Sequence, residues 1–140
     1  MNWLINLFQS TVFQTVISGV LIFTIGQIIQ RFFLKPIQKY KATIGKIDNK
    51  LKFYANVIAN PGTWSKENTL ECLNKLRQLS CDLETTYKQL LFKRKDRTIK
   101  IADSASRLIR LSNSLGPGNN FIHNDEDVEK IRENLGIPKL

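Results

Sequence analysis

Residues 12–34 read VFQTVISGVLIFTIGQIIQRFFL, and this stretch decides how the chain is organised. The first 30 residues contain no ionisable side chain, and Val, Ile, Leu and Phe dominate the stretch up to the first charge at Arg31. An α-helix of about 20 apolar residues spans the hydrocarbon core of a bilayer. The stretch therefore predicts one transmembrane helix, so we divide the chain into an anchor over residues 1–34 and a helical domain over residues 35–140.

Two other interpretations of this stretch fit the sequence less well. A cleavable signal peptide carries its basic residues before the apolar run and a small-residue cleavage site after it, whereas here the basic residues come after it. A buried core helix of this length would have a polar face. We therefore expect the segment to remain attached as a membrane anchor.

The charges that flank the apolar stretch predict its orientation. All 21 Lys and Arg residues lie at or beyond Arg31, and Asp48 is the one acid among the first basic residues: Arg31, Lys35, Lys39, Lys41, Lys46, Lys50 and Lys52. A positive flank stays on the cytoplasmic side. We expect a bacterial inner-membrane protein with its N-terminus outside, Trp3 at the interface and its domain in the cytoplasm.

The residues just after the apolar stretch also predict contact with membrane lipids. Arg31, Lys35, Lys39 and Lys41 are close enough to the predicted bilayer to touch its headgroups. Each basic residue next to an anionic leaflet gains about 1 kcal/mol. We therefore expect anionic lipids to be partners of these four side chains.

Small and hydroxylated residues share one face of the predicted span when it is wound at about 100° per residue. They are Thr11, Thr15, Ser18, Gly19 and Gly26. Such a face lets a second helix approach closely and exchange hydrogen bonds in lipid. We expect the chain to self-associate into a homo-oligomer through this stripe. The alternatives are a stripe that faces lipid without consequence and a stripe that lines a narrow pore.

Beyond the span, apolar spacing predicts an all-α fold in which the N-terminal transmembrane helix is followed by an antiparallel bundle of three long helices and one short one. Pro36 should kink or restart the helix, because it has no N–H to donate. The helix after it should end at Asn60-Pro61-Gly62. Its predicted inward residues are Ile37, Tyr40, Ile44, Ile47, Leu51, Tyr54 and Ile58.

The other three helices follow from the same spacing and from their end signals. The second is expected from Ser65 to Phe92 and the third from Arg97 to Leu115, and the link Gly116–Asn120 is a predicted hinge. The short helix should have Asn124 or Asp125 as its N-cap and Gly136 after its end. The predicted inward residues are Leu70, Leu73, Leu76, Leu83, Tyr87, Leu90, Ile101, Ala105, Leu108, Ile109, Ser112, Leu115, Val128, Ile131 and Leu135.

The net charge of +9 predicts attraction to anionic surfaces, but it does not select one. The candidate residues for an anionic ligand or protein partner lie far from the span, and they are Lys93, Arg94, Lys95, Arg97, Lys100, Arg107 and Arg110. Aromatic side chains that could stack on bases are not interleaved with them, so nucleic-acid binding stays undecided.

No motif in the sequence indicates catalysis, a metal or a cofactor. The single histidine, His123, and the two cysteines, Cys72 and Cys81, have no metal-ligand spacing. Neither a nucleophile turn nor a phosphate-binding loop is present. The two cysteines are also too far apart on one helix to form a disulfide with each other. We expect a non-enzymatic protein without a metal or cofactor.

Several short stretches resemble a family of small bacterial single-pass membrane proteins with a cytoplasmic helical domain. These stretches are residues 34–38, 53–57, 60–62, 76–80, 108–114 and 135–137, which read LKPIQ, FYANV, NPG, LRQLS, LIRLSNS and LGI. The resemblance implies that anchor and domain form a unit, and it carries over no catalytic residue. It also draws attention to polar residues that could line a site or cross-link helices, namely Tyr54, Asn56, Asn60, Arg77, Arg110, Ser112 and Asn113.

Together these patterns favour a self-associating inner-membrane protein whose basic cytoplasmic domain mediates interaction or signalling. The alternative is a membrane-perturbing effector of the pore type, for example in antiphage defence. An anionic cytoplasmic ligand or partner would trigger that effector.

Overall fold

The computed structural model describes residues 10–116 and 123–138, and all the regular secondary structure in these ranges is helical. The helices are α1 (Thr11–Ile29), α2 (Lys35–Phe53), α3 (Ala55–Ala59), α4 (Lys66–Lys88), α5 (Lys95–Ser114) and α6 (Asn124–Leu135), and a π-helical segment covers Gln30–Leu34. The chain divides into two compact units at residues 35 and 36. The predicted all-α fold is confirmed, whereas Trp3 and residues 117–120 of the predicted hinge lie outside the described residues.

The first unit consists, in its described part, of α1 and the π-helical segment. No side chain of α1 is buried. The helical stretch that begins at Thr11 is, among the described helices, the one whose length and composition would let it cross a membrane. The 19 residues of α1 alone come close to the length that a bilayer core requires.

The helix before Pro36 widens instead of breaking. The N–H of Lys35 donates to the carbonyl of Gln30, five residues back, which is the pattern of a π-helix. Proline removes one helical hydrogen bond, and its ring crowds the carbonyl four residues back. A wider turn before Pro36 relieves that crowding, so the predicted kink or restart takes the form of a π-helical turn followed directly by α2.

In the second unit, hydrogen bonds join α4 and α5 in reverse order along the chain. Arg77 donates to Ser112, Ser80 donates to the carbonyl of Ala105, and the hydroxyl of Tyr87 bonds that of Thr98. These two helices therefore run antiparallel. The core of the unit draws on every helix from α2 to α6 and includes Tyr40, Ile47, Leu51, Val57, Leu76, Leu83, Leu108, Leu111, Ile131 and Leu135.

Three residues that were predicted to face inward are exposed instead, and these predictions are wrong. They are Ile37, Leu70 and Ile109. The apolar spacing marks a broad face, whereas the actual contact is narrower and starts at Tyr40 in α2. Small neighbours fill the interior instead, because Thr43, Cys72 and Ser104 are buried.

The helix that was predicted to run up to Asn60 is interrupted at Tyr54, which separates α2 from α3. The turns that connect the helices otherwise follow the predicted end signals, with two corrections. Gly62 and Gly136 have φ values of 85° and 72°, which glycine adopts without the strain of a Cβ. The second long helix ends at Lys88 and not at Phe92, because the reversal into α5 uses residues 89–94.

The second correction concerns the short helix α6. His123, and not Asn124 or Asp125, occupies its N-cap position. The buried amide of Asn124 serves a different purpose. It donates to the carbonyl of Ile58 and accepts from Ser114, both at 2.8 Å. Asn124 thereby connects α6 to α5, through Ser114, and to α3, through Ile58.

Candidate functional site

An open cleft of about 530 Å³ lies between α2 and α4 in the second unit. Three lysines supply its positive charge, Lys46 and Lys50 from α2 and Lys75 from α4. The remaining lining residues are Ala42, Gly45, Asn49, Gln78, Leu79 and Asp82. Ammonium and amide N–H groups donate hydrogen bonds to phosphate and carboxylate oxygens. We call this feature the basic cleft.

The spacing of residues on α2 explains why the cleft exists. Ile47 and Leu51 face the core, and Lys46 and Lys50 each precede one of them, so that both lysines lie at the edge of the packed face. Gly45 leaves this edge open, because a Cβ built on it would meet no atom within 4 Å. Gly45 therefore lines the cleft with backbone alone.

Lys50 is the lysine of the cleft whose position is best defined. Its ammonium nitrogen lies 4.8 Å from the ring centre of Phe53 and 5.4 Å from that of Tyr54, which are cation–π distances. The hydroxyl of Tyr54 donates to Glu71 at 2.8 Å. Burial and this hydrogen bond raise the pKa of Tyr54 to about 12, so its hydroxyl stays a donor.

Arg97, a candidate for an anionic ligand, contacts the end of α6. Its guanidinium donates to the carbonyls of Asn134 and Leu135 at 3.0 and 3.3 Å and to the hydroxyl of Tyr40 at 3.3 Å. The last carbonyls of a helix have no partner within the helix, and they carry its negative dipole end. Arg97 therefore has a structural role, in which it holds α6 against α5 and α2.

Arg107 and Arg110 converge on one buried carboxylate, Asp127 of α6. Arg107 donates to Asp127 at 2.8 Å, and Arg110 binds both of its oxygens. Arg107 also donates to Asp103 at 2.8 Å and so holds the pKa of that carboxyl below its usual value. Each of these two arginines uses two of its nitrogen atoms in a network that joins α5 to α6, and the Arg110 side chain remains 59% exposed.

The candidate anionic-ligand set is thus divided between two roles. Arg97, Arg107 and Arg110 make hydrogen bonds between helices, although Arg110 is itself exposed. Lys93, Arg94, Lys95 and Lys100 are exposed as well. The seven residues were grouped because they lie close together in the sequence. The sequence did not reveal partners such as Asp127, which lies far from them along the chain. Their binding of an anionic ligand stays a prediction.

The residues predicted to act in the membrane are all accessible. Thr11, Thr15, Ser18, Gly19 and Gly26 are exposed, and a Cβ at either glycine would meet nothing within 4 Å. Thr15 donates its hydroxyl to the carbonyl of Thr11 at 2.8 Å, so across an interface it would act as an acceptor. The predicted lipid contacts Arg31, Lys35, Lys39 and Lys41 are likewise exposed.

The polar residues singled out by the resemblance act mainly as cross-links. Arg77 donates to Ser112 at 3.2 Å and to the side chain of Asn113 at 2.8 Å. The carbonyl of Asn56 accepts from the amide of Asn60 and the indole of Trp64. No group of three or more His, Cys, Asp or Glu side chains in the described ranges could hold a metal ion.

The cleft was not predicted from the sequence. Lys46 and Lys50 were interpreted there only as charge that flanks the span, and Gly45, Lys75 and Gln78 were not among the candidate residues. The available signal was the repeat of lysines one position before core residues, together with a glycine inside a helix. These residues form a cleft only when a second helix lies opposite them, and no local sequence pattern predicts which helix that is.

The comparisons with known proteins identify no relatives. No protein-family model, no curated protein sequence and no solved structure matches the chain. The resemblance to small bacterial membrane proteins and the bacterial origin therefore stay predictions.

Proposed function

We propose that the chain is a non-enzymatic membrane protein that is anchored by α1, associates with copies of itself and uses its basic helical domain for interaction or signalling. The observation that supports the proposal is that no side chain of α1 is buried. Its exposed large apolar side chains are Val12, Val16, Ile17, Val20, Leu21, Ile22, Phe23, Ile25, Ile28 and Ile29. Full burial of such a side chain is worth about 1.5–3 kcal/mol.

That free energy determines whether α1 stays in water or enters lipid. The sum over these side chains is at least as large as the typical stability of a domain, about 5–15 kcal/mol, so α1 is not expected to remain in water. A bilayer covers the whole circumference of a helix, and the basic residues after α1 favour the cytoplasm for the domain. In this arrangement the domain is an antiparallel bundle of three long helices and one short one.

Self-association is supported by the exposed stripe of small residues. Burial in lipid supplies little drive for two helices to meet, so close packing and hydrogen bonds decide. Gly19 and Gly26 offer close approach, and Ser18 offers a hydroxyl on the same face. The partner proposed for this stripe is the same stripe on a second copy.

Disulfide cross-linking in native membranes tests this proposal. Ser18→Cys lies on the stripe and Val20→Cys lies on the opposite face, and both are made in a Cys81→Ser background because Cys72 is buried. We expect oxidation to produce covalent dimers from Ser18→Cys and few from Val20→Cys. Equal yields from the two variants, or a monomer with both, would contradict self-association through the stripe.

The basic cleft favours one second candidate, a membrane-perturbing effector of the pore type that an anionic cytoplasmic ligand triggers. The cleft has the charge to recognise phosphate or carboxylate groups, and the stripe could line a pore between copies. Overexpression in bacteria should then depolarise the membrane and arrest growth.

Cleft variants separate the two candidates. Lys46→Gln combined with Lys75→Gln removes cleft charge without touching the core, and it should abolish the depolarisation. Lys66→Gln combined with Lys88→Gln is the matched control at exposed positions of α4. Normal growth with the fully expressed wild-type protein would reject the effector and leave the interaction role.

A further inference from the structure

Three large apolar side chains protrude where α4 turns into α5. Leu91 is 56% exposed, Phe92 is 81% exposed and Ile99, on the second turn of α5, is 62% exposed. Their neighbour Leu90 packs against the core of the unit. Leu90 therefore fixes the beginning of this turn to the core, whereas Leu91 and Phe92 point away from it.

Basic side chains surround these apolar ones. Lys93, Arg94, Lys95 and Lys100 are exposed, and Asp96 is the acid among them. The combination of protruding apolar residues and adjacent cations is typical of segments that lie in the interface of an anionic bilayer. We call residues 89–100 with these side chains the amphipathic turn.

The amphipathic turn is held in place by hydrogen bonds. The hydroxyls of Tyr87 and Thr98 both donate to the carbonyl of Arg94, at 3.3 and 3.1 Å, and they also contact each other at 3.1 Å. The apolar side chains are thus presented by a defined backbone.

The turn belongs to the end of the second unit at which the chain arrives from α1. The ring of Tyr87 lies 5.6 Å from that of Tyr40, and Arg97 donates to the hydroxyl of Tyr40. Tyr40 follows Leu34 by six residues, which span at most about 20 Å even when fully extended. The turn therefore packs near the beginning of the second unit, and only residues 35–39 separate Tyr40 from the segment proposed to lie in the membrane.

We infer that the amphipathic turn is a second membrane-binding site, in which Leu91, Phe92 and Ile99 enter the interfacial layer of an anionic leaflet and the four cations contact its headgroups. This inference rests on the proposed membrane anchoring. A bilayer fits better than a peptide, because the apolar side chains protrude from the surface and do not line a groove. This inference assigns a role to the exposed cations Lys93, Arg94, Lys95 and Lys100, which take no part in the network around Asp127.

Quenching by brominated lipids tests the inference on the full chain, reconstituted in vesicles of phosphatidylcholine with phosphatidylglycerol. Leu91→Trp reports on the turn, and Leu70→Trp is its matched control, with 57% exposure and a position roughly 30 Å away along α4. Both are made with Trp3→Phe and Trp64→Phe. We expect the Leu91→Trp indole to be quenched roughly twofold or more strongly than the control, as interfacial insertion requires.

A charge variant tests the second half of the inference. Adding Lys93→Glu, Arg94→Glu and Lys95→Glu to Leu91→Trp should lower its quenching in the anionic vesicles to the level of the control. Undiminished quenching would overturn the role of the cations.

The outcomes also separate this inference from the proposed function. A protein that does not float with the vesicles would overturn both. A protein that floats while its Leu91→Trp and Leu70→Trp indoles are quenched equally would overturn the amphipathic turn alone. Cross-linking between Leu91→Cys copies without lipid quenching would also overturn it, by assigning the turn to a second copy of the chain.

Discussion

Individual side chains in this protein show that identical residue types do different work according to burial. Cys72 is fully buried and Cys81 is exposed. Burial, with the nearby charge of Glu71, raises the pKa of the Cys72 thiol to about 12. The thiolate is the reactive form of cysteine, so Cys72 is protected twice, by lack of access and by lack of ionisation.

Thiol modification checks this prediction. In the folded protein near neutral pH a maleimide should modify Cys81 rapidly and leave Cys72 unmodified, and strong denaturant should make both react. Cys81→Ser is the control and should leave no fast-reacting thiol. Modification of two thiols at equal rates in the native protein would show that Cys72 is accessible.

At the scale of helices, two glycines have opposite roles. Gly45 lies inside α2 with open space around it, whereas Gly136 ends α6 with a φ of 72°. After Gly136 the N–H of Ile137 donates to the carbonyl of Arg132 at 2.9 Å, and the side chain of Ile137 is buried. This is the Schellman arrangement that ends a helix.

Alanine substitution should therefore change stability in opposite directions at the two sites. Gly45→Ala should stabilise the domain by about 0.5–1 kcal/mol, because glycine is unfavourable inside a helix. Gly136→Ala should destabilise it by about 1–2 kcal/mol, because a Cβ is strained in the left-handed region. Thermal unfolding of the detergent-solubilised chain measures both. Stabilisation by Gly136→Ala would contradict the role assigned to this helix end.

For the whole molecule, the shifted pKa values define a pH window of stability. The pKa of Asp103 is lowered, so its contribution is present above about pH 4, the usual value of a carboxyl group, and is lost as the pH falls through the lower folded value. The pKa of Tyr54 is raised to about 12, so its contribution is present below about pH 10 and is lost as the pH rises through that folded value.

Unfolding followed by circular dichroism across the pH range measures this window. Asp103→Asn should flatten the acid side of the profile and Tyr54→Phe the alkaline side, each without changing the other side. If Asp103→Asn left the acid side unaltered, Asp103 would not contribute to the pH dependence of stability. The same conclusion would hold for Tyr54 if Tyr54→Phe left the alkaline side unaltered.

The way the chain is used as a whole depends on how its charge is distributed. Exposed cations are found in the flank after α1, in the basic cleft and in the amphipathic turn, whereas Arg97, Arg107 and Arg110 hydrogen-bond to groups within the domain. The count of 21 Lys and Arg residues therefore overstates the number of cations that are available to partners.

The sequence by itself determined the apolar helix, the helices beyond it and most of their ends. These features are local, because a missing charge, a spacing of three and four residues, and glycine or proline at a turn act within a few residues of the chain. Only the tertiary structure decided that Asp127 receives Arg107 and Arg110, that Arg97 caps α6, and that Gly45 and Lys75 border one cleft. These contacts join residues on different helices, and packing between helices, which no local pattern encodes, brings them together.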